Sequence, residues 1–339
     1  MGRIAKIRQR VGALNSSLLS FLGRRLLQMI PVIVLIAAAN FLLVHLAPGD
    51  VAEVLAGQSG QASAQYVAEL RHELGLDRSL TIQFLIYIGK LARFDLGYSY
   101  VQQSPVLTLI LDRLPATLLL MVSAIIIAIG LGVLFGIAAA RRHGTLLDNV
   151  ISIGALIVYA TPVFWLGLML VVLFSVELHL LPSDGMVAVA EPETGTVYAA
   201  DVLKHLILPA LTLALFYVAV YTRLMRASML EKYTSNFVAT ARAKGVGERG
   251  IAWRHVAPNA VLSVVTLAGI MFGNMLGGSV LIETVFGWPG LGRLVFDALL
   301  QRDLSLLLGI LFFSSIVVVI ANVVVDLTYS LIDPRISHR

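Results

Sequence analysis

Six long apolar runs, separated by polar segments of very unequal length, set the pattern of the chain. They lie at 26–47, 114–140, 150–176, 205–222, 259–282 and 304–325. A bilayer takes about 20 helical residues to cross, so each run is predicted as a transmembrane helix. The fourth, HLILPALTLALFYVAVYT, is the weakest, being short and interrupted by Pro209. The first follows Arg24 and Arg25, as a secretory signal would. Its 22 residues exceed the usual apolar core of about 7–15, and no small-residue cleavage site follows, so it reads as a retained span. Pro31, Pro162 and Pro209 permit kinks, because neighbouring helices can satisfy the freed carbonyls. The pairs Gly132/Gly136 and Gly273/Gly277 have the spacing that lets helices approach closely.

The polar segments have structure of their own. After the first span, SAQYVAELRHEL reads as a helix ending at Gly75, and SLTIQFLIYIGKLAR as a second with Ser79 as N-cap. The second is too short to span and ends in Lys90 and Arg93, so it should lie at the interface or against the spans. After the fifth span, ETVFGWPGLG holds three glycines and a proline within six residues and cannot continue a helix. It reads either as a simple tight turn or as a re-entrant element lining an outer gate, with Trp288 at the membrane interface. Glu283, Trp288 and Pro289 are its candidate residues. Asn274, Asn322 and Asp326 are polar groups in apolar helices and are candidates for a translocation path. Asp326 falls at the inner edge, where a structural hydrogen bond is an equal reading.

Composition agrees with a polytopic membrane protein: 58% hydrophobic and 13% charged residues, where a soluble surface needs more charge. The net charge of +5 matters through its placement. Lys and Arg fill 17 of 77 positions in segments 1–25, 141–149, 223–258 and 333–339, but 8 of 115 in 48–113, 177–204 and 283–303. Positive residues mark the cytoplasmic side, which places both termini inside. The organisation is therefore an N-terminal cytoplasmic segment 1–25, span 26–47, an extracytoplasmic helical segment 48–113, a membrane core 114–332 with cytoplasmic loop 223–258, and a tail 333–339. No phosphate-binding G-x-x-x-x-G-K-[ST] loop, no H-E-x-x-H spacing and no cysteine is present. ATP, if used, must bind to another chain, and no clustered residues support an enzyme. A stand-alone secondary transporter or channel would need intramembrane ionisable groups, and the runs offer only His45 near the outer end of the first and His205 at the outer end of the fourth.

The loop 223–258 contains FVATARAKGVGERGIAWRHVAPNA. Phe237 to Lys244 should be helical, Gly245 ends the helix, and Glu248 to Val256 begins a second helix that Pro258 limits. The result is an elbow, with Phe237, Val238 and Ala241 as a small apolar knob and Arg242 and Lys244 beside it. Such a knob suits a cleft on a partner protein. The charge alone could instead serve the positive-inside rule. Nucleic acid is a poor partner, since no aromatic residues are interleaved for stacking.

Ala239-Thr240-Ala241, then Gly245 and Pro258, resemble the EAA loop of ABC importer membrane subunits. The pattern departs at Ala239, where a glutamate is usual, and at His255 and Ala257. TARAKG with RHVAPNA is similar to the dipeptide and oligopeptide permease branch. LAPGD (46–50), ELGLD (73–77), FDLGYS (94–99), RLPATLLL (113–120), TPVFWLGLML (161–170), ETVFGWPGLGRL (283–294) and VVDLTYSLIDPRI (324–336) look like its signatures, in matching order. The resemblance implies an all-α protein with the type I ABC importer permease fold, six transmembrane helices and cytoplasmic termini, in a bacterial inner membrane. It implies a second homologous permease, two ABC ATPase subunits that bind ATP and Mg, and an extracytoplasmic solute-binding protein. The chain itself would bind no cofactor or metal and catalyse nothing. The ATPase-coupling residues it implies are Phe237, Ala239, Thr240, Ala241, Arg242, Lys244, Gly245, His255 and Pro258. Its expected substrate is a short peptide, with nickel chelates, glutathione or oligosaccharides as alternatives.

Overall fold

The apolar runs become helices, four of them longer than predicted and one bent. A computed structural model describes Gly23 and residues 27–43, 45–46, 51–58, 63–73, 77–188 and 195–332. Except for Gly23, the N-terminal segment 1–25 lies outside the described residues, as do Gly75 and the tail 333–339. Four helices precede a small hairpin: α1 Leu27–Leu43, α2 Val51–Gln58, α3 Ala64–Glu73 and α4 Leu80–Leu91. The hairpin pairs β1 Tyr98–Ser99 with β2 Ser104–Pro105, antiparallel. There follow α5 Val106–Arg141, α6 Leu146–Ala160, α7 Val163–Val171 with a π turn Val172–Glu177, α8 Thr196–Tyr233 and α9 Asn236–Ala243. The chain ends in α10 Glu248–Val285, α11 Leu291–Leu300 and α12 Leu304–Ile332. Among the described residues, α5, α8, α10 and α12 are long and apolar enough to cross a membrane, and the bent pair α6–α7 makes a fifth candidate.

Two units are distinguished, 1–110 with 298–339, and 111–297. In the first, α4 lies against spans: Leu91 packs with Ala37 of α1 and Phe312 of α12. Ser79 occupies the N-cap position, yet its hydroxyl makes no cap; its carbonyl accepts from Ile82 and Gln83 at 2.9 and 3.0 Å. Asp303 is buried before α12, accepts the Leu306 amide at 3.0 Å and takes the Ser99 hydroxyl, which ties the hairpin to that helix start.

In the second unit, α8 is the axis. Its apolar window is 67% buried, against 22–28% for the other long helices. That explains its weak appearance as a span: a helix surrounded by protein needs no continuous apolar face for lipid. Pro209 does not interrupt it, and α8 runs for 38 residues rather than the 18 predicted. Gly132 and Gly136 bring α5 onto α8. A Cβ at Gly132 would stand 2.6 Å from the Tyr221 Cβ, and one at Gly136 2.5 Å from the Met225 Cβ. Gly136→Ala is therefore expected to destabilise the protein by about 1–3 kcal/mol through overpacking. Gly130→Ala, which meets nothing within 4 Å, should be neutral or slightly stabilising. Thermal unfolding of the two variants in detergent checks the contrast. Gly277, the second member of the Gly273/Gly277 pair, meets nothing within 4 Å among the described residues.

The predicted continuous span 150–176 is instead two helices bent by 103°. Pro162 has no amide to donate and its ring excludes the helical carbonyl behind it; Thr161 before it is extended, with φ −85° and ψ 134°. The pair still advances one way along α8. Asp148 meets Arg226, Tyr159 stacks on Phe216, Gly167 lies by Thr212, and the Ala188 amide donates to Asp201. A re-entrant loop would return toward its start, so α6–α7 is a broken span.

Candidate functional site

The elbow forms where the sequence placed it, with a different face outward. Helix α9 begins after Ser235 and ends at Lys244, with Gly245 at φ +78°. The Gly245 amide donates to Arg242 O at 2.9 Å and the Val246 amide to Ala241 O at 3.1 Å, the paired bonds that close a helix on a left-handed residue. Val238 and Ala241 are buried against Ile251, Ala252 and Val256 of α10. The predicted knob is thus corrected: two of its three residues hold the elbow to the protein, because spacing identifies a shared face but not its direction. The outward face carries Phe237, Ala239, Thr240, Arg242 and Lys244. Arg242 spans the bend to Glu248, Nε to Oε1 at 2.7 Å and the second nitrogen to Oε2 at 3.2 Å, which raises its guanidinium above the ordinary value.

Pro258 does not limit the second helix, contrary to expectation. Glu248 to Val285 is one helix with a π turn at Ile251–Val256, where the Ala257 amide reaches Ala252 O. The wider turn immediately precedes the residue that lacks an amide, so the helix continues past it. His255 is half-buried, and its carbonyl accepts the Asn259 side-chain amide at 2.7 Å.

The segment after α10 is a turn that leads directly into a further helix. It turns at Phe286–Gly290 and enters α11. Trp288, expected at the membrane interface, is fully buried and donates Nε1–H to Ala116 O at 2.9 Å. The ring sits in protein because Gly287, at φ +58°, reverses the chain beneath it. Glu283 is also fully buried. Its carboxylate accepts the Thr117 hydroxyl at 2.8 Å and the Gly292 and Arg293 amides at 2.6 and 3.1 Å. Those amides are orphan donors at the first turn of α11, which begins after Gly290 and so has no capping side chain of its own. A Cβ at Gly290 would collide with Glu283 and Thr117, and one at Gly292 would stand 2.5 Å from Val280 Cα. Glu283, Trp288 and half-buried Pro289 are therefore brought together in one corner. Asn274 is not part of it: its side chain is exposed on α10, with one long contact to the Met271 sulfur at 3.8 Å. Asn322 is exposed on α12, and the Asp326 side chain lies outside the described residues.

A family described as "Binding-protein-dependent transport system inner membrane component" matches residues 132–338, and its N-terminal companion, "Binding-prot-dependent transport system membrane comp, N-term", matches 18–121. The chain belongs to this family of transport permeases. It is the transmembrane permease subunit of an ABC importer. The permease is 39% identical over 315 residues to a "putative peptide transport system permease protein" of Brucella abortus, covering 93% of this chain and 98% of the relative. It is 38% identical over 336 residues to the "di/tripeptide transport system permease protein" of Pseudomonas aeruginosa, covering 95% and 100%. The "dipeptide transport system permease protein" of Escherichia coli is 37% identical over 339 residues, covering 95% and 100%. A chain of the methionine ABC transporter MetNI in an inward-facing conformation shares the fold, with TM-score 0.54 and 17% identity, over 69% of the permease and 99% of that chain.

The permease also has an ion pair that sequence reasoning missed. Asp148, 2% exposed at the start of α6, accepts from Arg226 of α8 at 2.6 and 2.8 Å. The Gly144 amide, at 3.0 Å, and the His143 ring, at 3.1 Å, also meet it. Arg226 lies ten residues before Asn236, so the clamp joins α6 to the part of α8 that leads into the elbow. One signal was available: Asp148 is the sole acidic residue between Asp112 and Glu177. Nothing in sequence marks Arg226, 78 positions away, as its partner.

Proposed function

We propose that the permease forms half of the translocation path of an ATP-driven importer of short peptides in a bacterial inner membrane. Its spans number six, with α1 as the first and both termini cytoplasmic, in keeping with the charge distribution along the chain. A second, similar permease completes the path, and a solute-binding protein delivers substrate on the outer side. Two ATPase subunits bind ATP and Mg and dock on the elbow. The names of the peptide-transporting relatives support the substrate.

The observation that carries the reading is the elbow itself: a short helix held rigidly by buried Val238 and Ala241, presenting Phe237, Ala239 and Thr240 outward among cations. A partner gripping that face can move α8 and α10, between which α9 is connected, and coupling is limited by the difference in contacts the partner makes in its two states. Asn274 faces the path or the second permease, since an exposed carboxamide in a spanning helix is costly against lipid. Glu283, Trp288 and Pro289 shape the outer corner rather than touch substrate.

Ala239→Trp and Thr240→Trp alter only the outward face, whereas a bulky residue at buried Ala241 would unseat the helix. Both variants are expected to reach the membrane and unfold at the wild-type temperature. Peptide uptake and ATPase co-purification should each fall at least about tenfold, the effect of losing roughly 1.4 kcal/mol of contact. Uptake at wild-type level in both variants would refute docking at α9.

A further inference from the structure

We propose that a groove between α6 and α8 holds the phosphate headgroup of an anionic phospholipid of the inner leaflet. The groove has a volume of about 670 Å³ and is lined by Ser152, Leu156 and Tyr159 of α6 and by Val220, Arg223 and Leu224 of α8, with Arg226 and Ala227 at its end. Arg226 is committed to Asp148. Arg223 is exposed and makes no ion pair among the described residues; its guanidinium lies over the Tyr159 ring at 5.9 Å from the centroid. An arginine within cation–π reach of a ring and without a carboxylate partner keeps N–H groups available to a phosphate.

Position selects the lipid over other anions. Arg223 is the first charged residue after an apolar stretch of α8 that begins beyond Lys204 and His205, which puts it at headgroup depth. Leu156, Val220 and Leu224 offer aliphatic walls for the upper acyl chain. Toward the bilayer centre the groove stops at Tyr159, stacked on Phe216 with centroids 5.2 Å apart. The inner-leaflet assignment rests on the sidedness proposed above; the presence of a lipid in the groove does not depend on the peptide substrate.

The test uses the full chain purified from membranes with its accompanying subunits and placed in nanodiscs of equal phosphatidylglycerol and phosphatidylcholine. Native mass spectrometry then reads the retained lipid. Wild type is expected to retain phosphatidylglycerol preferentially, and Arg223→Gln to lower that retention about tenfold, the loss of one charge-assisted contact. Arg223→Lys should keep part of the preference. Ala227→Trp, which fills the groove and leaves the charge, should abolish retention and so separates occupancy from any disturbance of α8 by the charge change. Equal retention in wild type, Arg223→Gln and Ala227→Trp overturns the proposal. Displacement of the lipid by millimolar inorganic phosphate, or by dipeptide, also overturns it, by assigning the recess to a free anion or to the substrate. Because the chain has no cysteine, Ser235→Cys checks sidedness separately. Reaction with an impermeant maleimide only in inside-out vesicles supports the inner leaflet, and reaction in intact cells refutes that leaflet while leaving the lipid measurement to stand.

Discussion

Glu283→Ala is expected to destabilise the permease by about 3–5 kcal/mol, a large share of the about 5–15 kcal/mol that holds a typical protein folded. The carboxylate is the common acceptor for the Thr117 hydroxyl and the Gly292 and Arg293 amides. Removing it leaves buried donors that no water reaches, each costing about 1–3 kcal/mol. It also removes a negative group from the N-terminal end of α11, which the helix dipole favours. Thermal unfolding in detergent should show a fall on the order of 10 °C. Trypsin should also begin to cut at Arg293, whose guanidinium bonds Gly287 O at 2.6 Å and helps close the corner. Glu283→Gln keeps one acceptor oxygen but turns an N–H₂ toward amide donors, so an intermediate loss is expected. Glutamine and alanine variants with wild-type stability would show that the carboxylate is not the cap.

Asp148→Ala is expected to cost about 2–4 kcal/mol. Breaking a buried ion pair leaves an uncompensated charge. The estimate is below that for a fully buried pair because the Arg226 side chain is 27% exposed and water reaches it in part. Arg226→Leu added to Asp148→Ala removes the orphan charge and should recover most of the loss, whereas independent contributions would add. A double-mutant cycle on unfolding temperatures measures the difference. If the clamp also carries motion from the elbow to α6, Asp148→Asn should lower uptake per ATP hydrolysed more than it lowers hydrolysis.

Much of the elbow was legible because its signals are local. Gly245 ends α9 through its own left-handed conformation, and that preference needs no tertiary context. The bend at Thr161–Pro162 follows equally from the covalent structure of proline, although its 103° angle does not. The sign of each helix face was not legible. Val238 and Ala241 form an apolar pair at helical spacing whether they grip a partner or their own chain, and only the packed Ile251 and Val256 decide. Trp288 suits a membrane interface and a protein interior alike, and the Ala116 carbonyl selects the interior. Glu283 gave no local sign that its acceptors would be used by Thr117, 166 positions away.

The amino-acid sequence by itself determined that this chain lives in a membrane, which segments carry positive charge, and where the elbow lies. These properties follow from transfer free energies and backbone restrictions of consecutive residues. Tertiary structure alone decided which faces are inward, that α8 is the axis, and how Asp148 and Glu283 are satisfied. Within a bilayer the lipid and the protein interior are both apolar, so hydropathy cannot orient a helix about its axis. Orientation comes from shape, as at Gly132 and Gly136, and from the few polar groups that must find partners across long separations in sequence.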